Sequence, residues 1–357
     1  MGKSWTIFRA FGIPVRLHWS FAFVFLLVGM LANDVGGGLM NYVWSGALIL
    51  AMFVCVLLHE FGHALTARRF DITTRDILLS PIGGLARMNA LPDKPLQEFW
   101  IALAGPLVNV IIAILIGLLL LGVDLDAVLW KMENQVDGPL LGAQTFLPLL
   151  LVLNIMLVVF NLIPAFPMDG GRVLRALLSL KLPRLKATLI ATRIGQVVGV
   201  AMIGYGIFAS AWTLALIGFF VIVMAQREYK SLEQWERLDK TTAGTLMQRV
   251  PSLLVGESLS DALERHGPLD FPVLNPYGEL IGWLSGSTVL QKGGAPHGAA
   301  VGDYLIAEKP PLISTTKNLR TVIAEFRRSR LPLGFITEQG RIVGILSERM
   351  VAEFLDS

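Results

Sequence analysis

Six apolar stretches dominate the first part of the chain, and shorter polar segments separate them. The stretches cover residues 18–31, 47–67, 99–121, 146–163, 189–208 and 212–225. A straight transmembrane helix needs about 20 predominantly apolar residues, and shorter spans are accommodated by local thinning of the bilayer. The pattern therefore predicts a polytopic α-helical membrane protein with six transmembrane helices.

The pattern changes near residue 240 to short apolar runs typical of a soluble α+β domain. Two segments in this part, 278–285 and 340–347, have similar sequences, GELIGWLS and GRIVGILS. Each follows a predicted helix, so the soluble part is expected to contain an internal repeat. We predict a membrane domain at 1–228, a linker at 229–240 and a soluble domain at 241–357 with repeats at 241–292 and 301–357.

Composition agrees with a membrane protein and adds an orientation. Mean hydropathy is +0.62, and 54% of the residues are hydrophobic. Lys and Arg gather before the first stretch, between the second and third, between the fourth and fifth, and after the sixth. Cytoplasmic loops carry the excess of Lys and Arg, so both termini and the soluble domain are expected in the cytoplasm, with the spans in the cell (plasma or inner) membrane.

The cysteine content, the net charge and the first apolar stretch each make one structural or functional class unexpected. The single cysteine, Cys55, rules out an internal disulfide. A formal net charge of +3 gives no reason to expect nucleic acid as a partner. The first apolar stretch has no convincing cleavage site after it, so we expect a span there and no removable signal peptide.

The second stretch contains the pattern HExxH, with His59, Glu60 and His63. On a helix the two histidines lie one turn apart on the same face, where two neutral imidazoles can share a zinc ion. Glu60 can then accept a proton from a water bound to that ion. Chance would produce this pattern in about one chain in a hundred of this length, and ionisable residues inside apolar sequence are functional by default.

Residues 77–88 are too apolar for an exposed loop and too rich in Pro and Gly for a helix. They predict a small membrane-associated β element, either a re-entrant hairpin that lines a cavity or an amphipathic hairpin on the surface. An exposed strand edge at this place could pair with an extended peptide substrate.

The fourth stretch ends at Asn161, and the sequence NLIPAFPMDGG follows from that residue. Pro164 and Pro167 break the helix, and Asp169 comes directly after the apolar run at the same membrane depth as the two histidines. Its carboxylate can be a third zinc ligand that leaves one position open for water, as catalytic zinc sites require.

These motifs together resemble the site-2 protease family of intramembrane zinc metalloproteases. HEFGH at 59–63 and the segment 161–171 carry the resemblance, and 12–20, 81–84 and 104–109 support it. The resemblance implies that His59, His63 and Asp169 bind one Zn²⁺ per chain and that Glu60 is the catalytic base. It also implies that Asn161, Gly83 and Gly84 contact the substrate, a membrane protein whose transmembrane helix is locally unwound for cleavage.

The repeat in the soluble part resembles a tandem pair of CBS domains. Such pairs often bind adenine nucleotides and commonly form dimers, so a homodimer through this pair is implied. The positions of the family's ribose-binding Asp hold Thr288 and Met350 here. A regulatory or packing role therefore stands beside nucleotide binding as an expectation.

Two other functions fit part of the sequence. Intramembrane His, Glu and Asp could form the ion path of a CBS-regulated transporter or channel. The membrane domain could also be an inactive scaffold that binds membrane proteins without cutting them. The clustering of the ionisable residues at one depth favours the protease.

Overall fold

The computed structural model describes residues 4–34, 38–81, 83–89, 92, 94–124, 142–291, 293–294, 296 and 298–356. The chain divides into two compact units, Met1–Tyr229 and Lys230–Ser357. The first unit carries the HExxH motif.

Helices make up most of the first unit. Those of the described part are α1 (Phe23–Asp34), α2 (Leu39–Arg68), α3 (Pro95–Leu119), α4 (Ala143–Leu162), α5 (Asp169–Ser179), α6 (Arg184–Phe208) and α7 (Trp212–Lys240). Two of their ends follow from local sequence. Pro95 occupies the first turn of α3, where a missing backbone N–H costs nothing, and α4 ends just before Pro164.

Four of these helices, α2, α3, α4 and α6, are long and apolar enough to cross a membrane. The first predicted span, 18–31, corresponds to a short 3-10 turn followed by the 12-residue helix α1. The sixth, 212–225, is the apolar beginning of α7, which continues through the predicted linker 229–240 as helix. The chain is therefore a helical protein with at least four candidate spans in its described part.

A four-stranded sheet lies beside the helices. Its strands are β1 (Ser4–Ala10), β2 (Ile13–His18), β3 (Thr74–Ser80) and β4 (Gly83–Met88), in the order β1-β2-β3-β4. The hairpin of β3 and β4 occupies the segment where the sequence predicts a β element. The hairpin of β1 and β2 was not predicted, and β2 joins it to the rest by running parallel to β3.

A buried carboxylate fixes the sheet on one side. Asp76 of β3 is 1% exposed and accepts hydrogen bonds from Arg87 of β4 and Arg16 of β2. Burial alone would raise the pKa of Asp76, but the hydrogen bonds and charges of Arg87 and then Arg16 outweigh it and hold that pKa below its ordinary value of 3.8. The ion cluster therefore ties β2, β3 and β4 together at neutral pH.

A second ion cluster connects four helices. Arg175 of α5 donates to Glu98 of α3 at 2.7 Å and to Glu228 of α7 at 2.8 Å. Glu98 also accepts from Arg184 of α6 at 3.0 Å. Arg175 and Glu98 are 3% and 5% exposed, and buried charges of this kind persist only when paired and hydrogen-bonded.

The second unit contains two three-stranded sheets of the same topology. The first sheet consists of β5 (Leu253–Leu254), β6 (Asp270–Leu274) and β7 (Leu280–Ser285), and the second of β8 (Leu312–Ser314), β9 (Leu333–Glu338) and β10 (Arg341–Ser347). In each sheet the first strand is parallel to the second, and the second is antiparallel to the third. The repeated segments form β7, β10 and the turns before them. The helices are α8 (Ala243–Leu246), α9 (Leu259–His266), α10 (Gly286–Gln291), α11 (Leu319–Ser329) and α12 (Glu348–Asp356).

Short segments link the two sheets crosswise. Residues before the first sheet pair with the second repeat, at Thr242 with Asn318 and at Gln248 with Ile345. The segment between the repeats pairs with the first one, where Ile306 bridges to Trp283. The two repeats therefore share one folded unit.

Candidate active site

The two histidines of the HExxH motif and Asp169 converge from two helices. His59 and His63 are on α2, and Asp169 is the first residue of α5. The Nε2 atoms of the histidines are 3.0 Å apart, and each lies 3.1 Å from Oδ2 of Asp169. All three side chains are buried.

The other nitrogen of each imidazole faces an oxygen that can only accept. Nδ1 of His59 donates to Oδ1 of Asn109 at 2.7 Å, and Nδ1 of His63 donates to the carbonyl oxygen of Ile101 at 2.6 Å. A neutral imidazole carries one proton, so both Nε2 atoms present lone pairs. Zinc-binding histidines typically donate their second ring N–H in this manner.

Three lone-pair atoms in mutual contact are favourable when a cation lies between them. Ligand atoms about 2.0–2.1 Å from a tetrahedral zinc ion lie about 3.3 Å from one another, close to the 3.0 and 3.1 Å observed. Two nitrogens and one carboxylate oxygen also form a ligand set that zinc prefers and that leaves a fourth position open. The residues fit a catalytic zinc ion.

Gly105 of α3 makes this arrangement possible. A methyl group at Gly105 would collide with the Nε2 atoms of both histidines. The absence of a side chain therefore lets α3 pack directly against the two imidazoles.

Glu60 lies next to the three candidate ligands and contacts strand β4. Its Oε2 accepts a hydrogen bond of 2.7 Å from the backbone N–H of Ala86. A methyl group at Gly84 would come within 2.6 Å of Cγ of Glu60, so glycine is required for β4 to approach the glutamate. The β element thus fixes the position of the carboxylate.

These groups surround a cavity of about 140 Å³ that opens to the outside of the unit. Its lining consists of His59, Glu60, His63, Gly84, Leu85, Ala86, Met88, Asn161, Pro167, Asp169 and Arg172. Of the residues that the resemblance assigns to substrate, Asn161 and Gly84 line the cavity. Gly83 is the first residue of β4, where its carbonyl oxygen accepts from Ser80, and it is not among the lining residues.

Three polar residues of the site were missed in the sequence. Arg172 follows Asp169 by three residues on α5, a spacing that places both on one face of a helix, and this signal could have identified it. Asn109 and Asn154 are fully buried (0% exposed) on α3 and α4. An asparagine within an apolar span was the available signal for both, because polar groups are costly there.

The site has the features of a zinc hydrolase: three candidate metal ligands, a carboxylate beside them and a cavity for substrate, all at the ends of apolar helices. Comparison with known proteins agrees with this class. The model of peptidase family M50 matches residues 47–203, and the model of the CBS domain matches residues 301–357.

Similar proteins match all or part of the chain. A zinc metalloprotease of Methanocaldococcus jannaschii is 32% identical over 354 residues, which are 98% of this chain and 95% of that protein. Stage IV sporulation protein FB of Bacillus subtilis is 30% identical over 140 residues, 39% of this chain and 43% of that protein. The solved structure of a site-2 protease from M. jannaschii is 35% identical and covers 64% of this chain and 95% of its own, with a TM-score of 0.45.

The chain therefore belongs to peptidase family M50, the site-2 protease family of zinc metalloproteases. It is an intramembrane zinc metalloprotease with a CBS domain in its C-terminal part. Family membership favours the protease over the alternative of a transporter or channel.

The ligand set can be tested by metal content. We expect Asp169→Ala to lose the zinc ion, because two imidazoles alone bind it weakly, whereas Glu60→Gln should retain about one zinc per chain, since it removes no ligand. Elemental analysis of the purified and dialysed proteins measures this. Wild-type zinc content in Asp169→Ala would show that Asp169 is not a ligand.

Proposed function

We propose that this enzyme hydrolyses peptide bonds within or near transmembrane segments of membrane proteins, with one zinc ion per chain held by His59, His63 and Asp169. The observation that carries the proposal is the convergence of three acceptor atoms beside Glu60 in a cavity at the ends of apolar helices. Two imidazole nitrogens and a carboxylate oxygen within about 3 Å of one another are a ligand set that suits zinc.

Glu60 is the general base and later the general acid of the proposed reaction. A bound zinc ion supplies Lewis-acid activation of a water molecule and of the scissile carbonyl. Glu60 removes the proton of the attacking water and returns it to the leaving amine. The hydrogen bond from Ala86 holds its carboxylate in place while leaving one oxygen for this transfer.

Arg172 stabilises the negative charge that develops on the carbonyl oxygen. Its side chain lines the cavity together with Glu60 and Asp169. Within the described residues, its guanidinium makes no hydrogen bond or ion pair with another protein group, unlike Arg175 on the next turn, which is paired with Glu98 and Glu228. A guanidinium that lines the cavity without a hydrogen-bonded protein partner is available to a substrate carbonyl as an electrophilic group.

The substrate binds in an extended conformation. A helix satisfies its own backbone groups and has none to offer a strand edge, whereas an extended peptide can pair with one. Strand β4 pairs with β3 on one side only, and the N–H of Ala86 on its other side points to Glu60. Pairing of the substrate with this edge would place the scissile bond beside the base, with Gly83, Gly84 and Asn161 contacting its backbone.

We further propose six spans, with α1 and the apolar beginning of α7 as the first and the last. The distribution of Lys and Arg supports this number, because an even count puts every basic loop on one side. Both termini and the second unit then face the cytoplasm of a cell bounded by the plasma or inner membrane.

The second unit is proposed to be a tandem CBS pair, since both sheets have the same topology and one of the repeats matches the CBS model. It is suited to dimerisation and regulation rather than to binding adenine nucleotides. The hydroxyl of Thr288 donates to Ser285 at 3.1 Å, and Met350 packs against an apolar core.

Micromolar binding of ATP by the full-length enzyme in calorimetry would contradict the proposal that the second unit does not bind adenine nucleotides.

A substrate trap tests the function directly. In cells where Glu60→Gln replaces the wild type, we expect single-span membrane proteins to accumulate uncut, because the variant retains the site and lacks the base. Quantitative proteomics of the two membranes measures the accumulation. Wild-type turnover of such a substrate by purified Glu60→Gln enzyme would refute the role of Glu60.

Arg172→Gln separates catalysis from binding. On a substrate found by the trap, we expect kcat to fall by about 100-fold with KM within about two-fold, because the lost interaction forms only in the transition state. Arg193→Gln, the same change at an exposed residue of α6, is the control and should be neutral. A rise in KM at unchanged kcat would assign Arg172 to substrate binding instead.

Topology is tested by thiol labelling in a Cys55→Ser background. Tyr277→Cys places a thiol at a residue of the second unit that is 90% exposed, and Val123→Cys places one after α3, at 42% exposure. We expect an impermeant maleimide to label only Val123→Cys in intact cells, and both proteins after lysis. Labelling of Tyr277→Cys in intact cells would overturn the orientation.

A further inference from the structure

A chain of buried amides connects the candidate ligand His59 to helix α4. Nδ2 of Asn109 donates to Oδ1 of Asn154 at 3.0 Å, and Nδ2 of Asn154 donates to the carbonyl oxygen of Leu150 at 2.9 Å. Both asparagines are fully buried, Asn109 on α3 and Asn154 on α4. Neither of them lines the cavity, so the reaction described above makes no use of Asn154.

The carbonyl oxygen of Leu150 fixes the orientation of both amide side chains in this series of hydrogen bonds. A backbone carbonyl can only accept, so the NH₂ end of Asn154 must face it and the oxygen end must face Asn109. The NH₂ end of Asn109 then faces Asn154, and its oxygen faces Nδ1 of His59. The reverse orientation of both amides would bring Oδ1 of Asn154 against the carbonyl oxygen of Leu150, and buried acceptors are not left facing each other.

The atom that Asn109 presents to His59 decides which ring nitrogen of His59 carries the proton. An oxygen of Asn109 at 2.7 Å requires a proton on Nδ1, and Nε2 is then free. A rotated Asn109 would offer its NH₂ group, favour a proton on Nε2 and block metal binding. His63 needs no such chain, because Nδ1 donates directly to the backbone oxygen of Ile101.

We infer that Asn154 is a positioning residue for zinc: acting through Asn109, it keeps the Nε2 lone pair of His59 available to the metal. The inference rests on the proposed role of His59 as a zinc ligand. It assigns a function to a residue on α4 that touches neither the metal ligands nor the cavity.

A double-mutant cycle tests the inference by zinc affinity, without reference to activity. Asn154→Leu keeps the volume and removes the donor and acceptor, so we expect zinc binding to weaken by about 10–100-fold. Asn109→Asp offers His59 an oxygen in either orientation, so Asn154 is no longer needed. In the Asn109→Asp background, Asn154→Leu should therefore weaken zinc binding by less than about three-fold.

Competition with a chelator on the purified full-length proteins measures each dissociation constant, and thermal melting of the metal-free proteins verifies folding. Thr192→Val, which removes a buried hydrogen bond to the backbone oxygen of Ala225 between α6 and α7, is the control and should leave zinc affinity unchanged. Where Asn154→Leu does not fold, Asn154→Ser supplies the same comparison with a side chain too short to reach Asn109.

The outcomes distinguish the two proposals. A wild type without tight zinc binding refutes the proposed function itself. A wild type with tight binding and an Asn154→Leu variant of equal affinity refutes only the positioning role. Equal losses in both backgrounds would likewise refute it, because a general packing defect does not depend on the residue at position 109.

Discussion

Three electron-pair donors held against one another in an apolar interior are the constraint on which this structure depends. Without a cation between them, the lone pairs of His59 and His63 would face each other and the buried carboxylate of Asp169, which is costly even with the charge of Arg172 nearby. Neighbouring residues hold the imidazoles in this arrangement. Gly105 lets α3 pack against both rings, and the oxygens of Ile101 and Asn109 accept hydrogen bonds from their Nδ1 atoms. The arrangement therefore suits a metal ion, which would give the three donors a common centre.

The apolar helices explain why the rest of the site is not helical. A helix satisfies its own backbone groups and has none to offer a substrate. The structure brings exposed backbone to the site from two places, the edge of β4 and the Pro-rich segment between α4 and α5. Both border the cavity, at Ala86 and at Pro167. The same argument applies to the substrate: the proposed pairing with β4 would require a transmembrane helix to lose its own hydrogen bonds first.

Features that depend on local spacing could be predicted from the sequence. The HExxH pattern and the Asp that ends the fourth apolar stretch indicated the cluster that the structure brings together, and the hairpin at 74–88 follows from short apolar runs around Pro and Gly. The hairpin of β1 and β2 was missed although its turn at Phe11 and Gly12 is local; what could not be predicted is the parallel pairing of β2 with a strand about 60 residues away, as with Val15 and Ile77. Such pairing leaves no periodic signal in the sequence of either strand.

The orientation of the amides was inaccessible for the same reason. Asn109 and Asn154 are single polar residues in apolar runs, and their roles depend on which helices become neighbours. An asparagine in a span indicates a hydrogen bond but not its partner. Only the packing of α2, α3 and α4 shows that these hydrogen bonds lead to His59, a candidate zinc ligand, rather than to another helix backbone.

The position of Asp169 depends on charges as well as on packing. Helix α5 has 11 residues, too few to cross a membrane, and it begins at Asp169 itself. Arg175 lies six residues further, about 9 Å along the helix axis, and is held from two sides by Glu98 and Glu228. Glu98 in turn is held by Arg184, so α3, α6 and α7 together fix one point of α5. Because that point is less than two turns from the carboxylate, a change in any of the four charged residues acts on the metal site through the placement of a short, rigid helix.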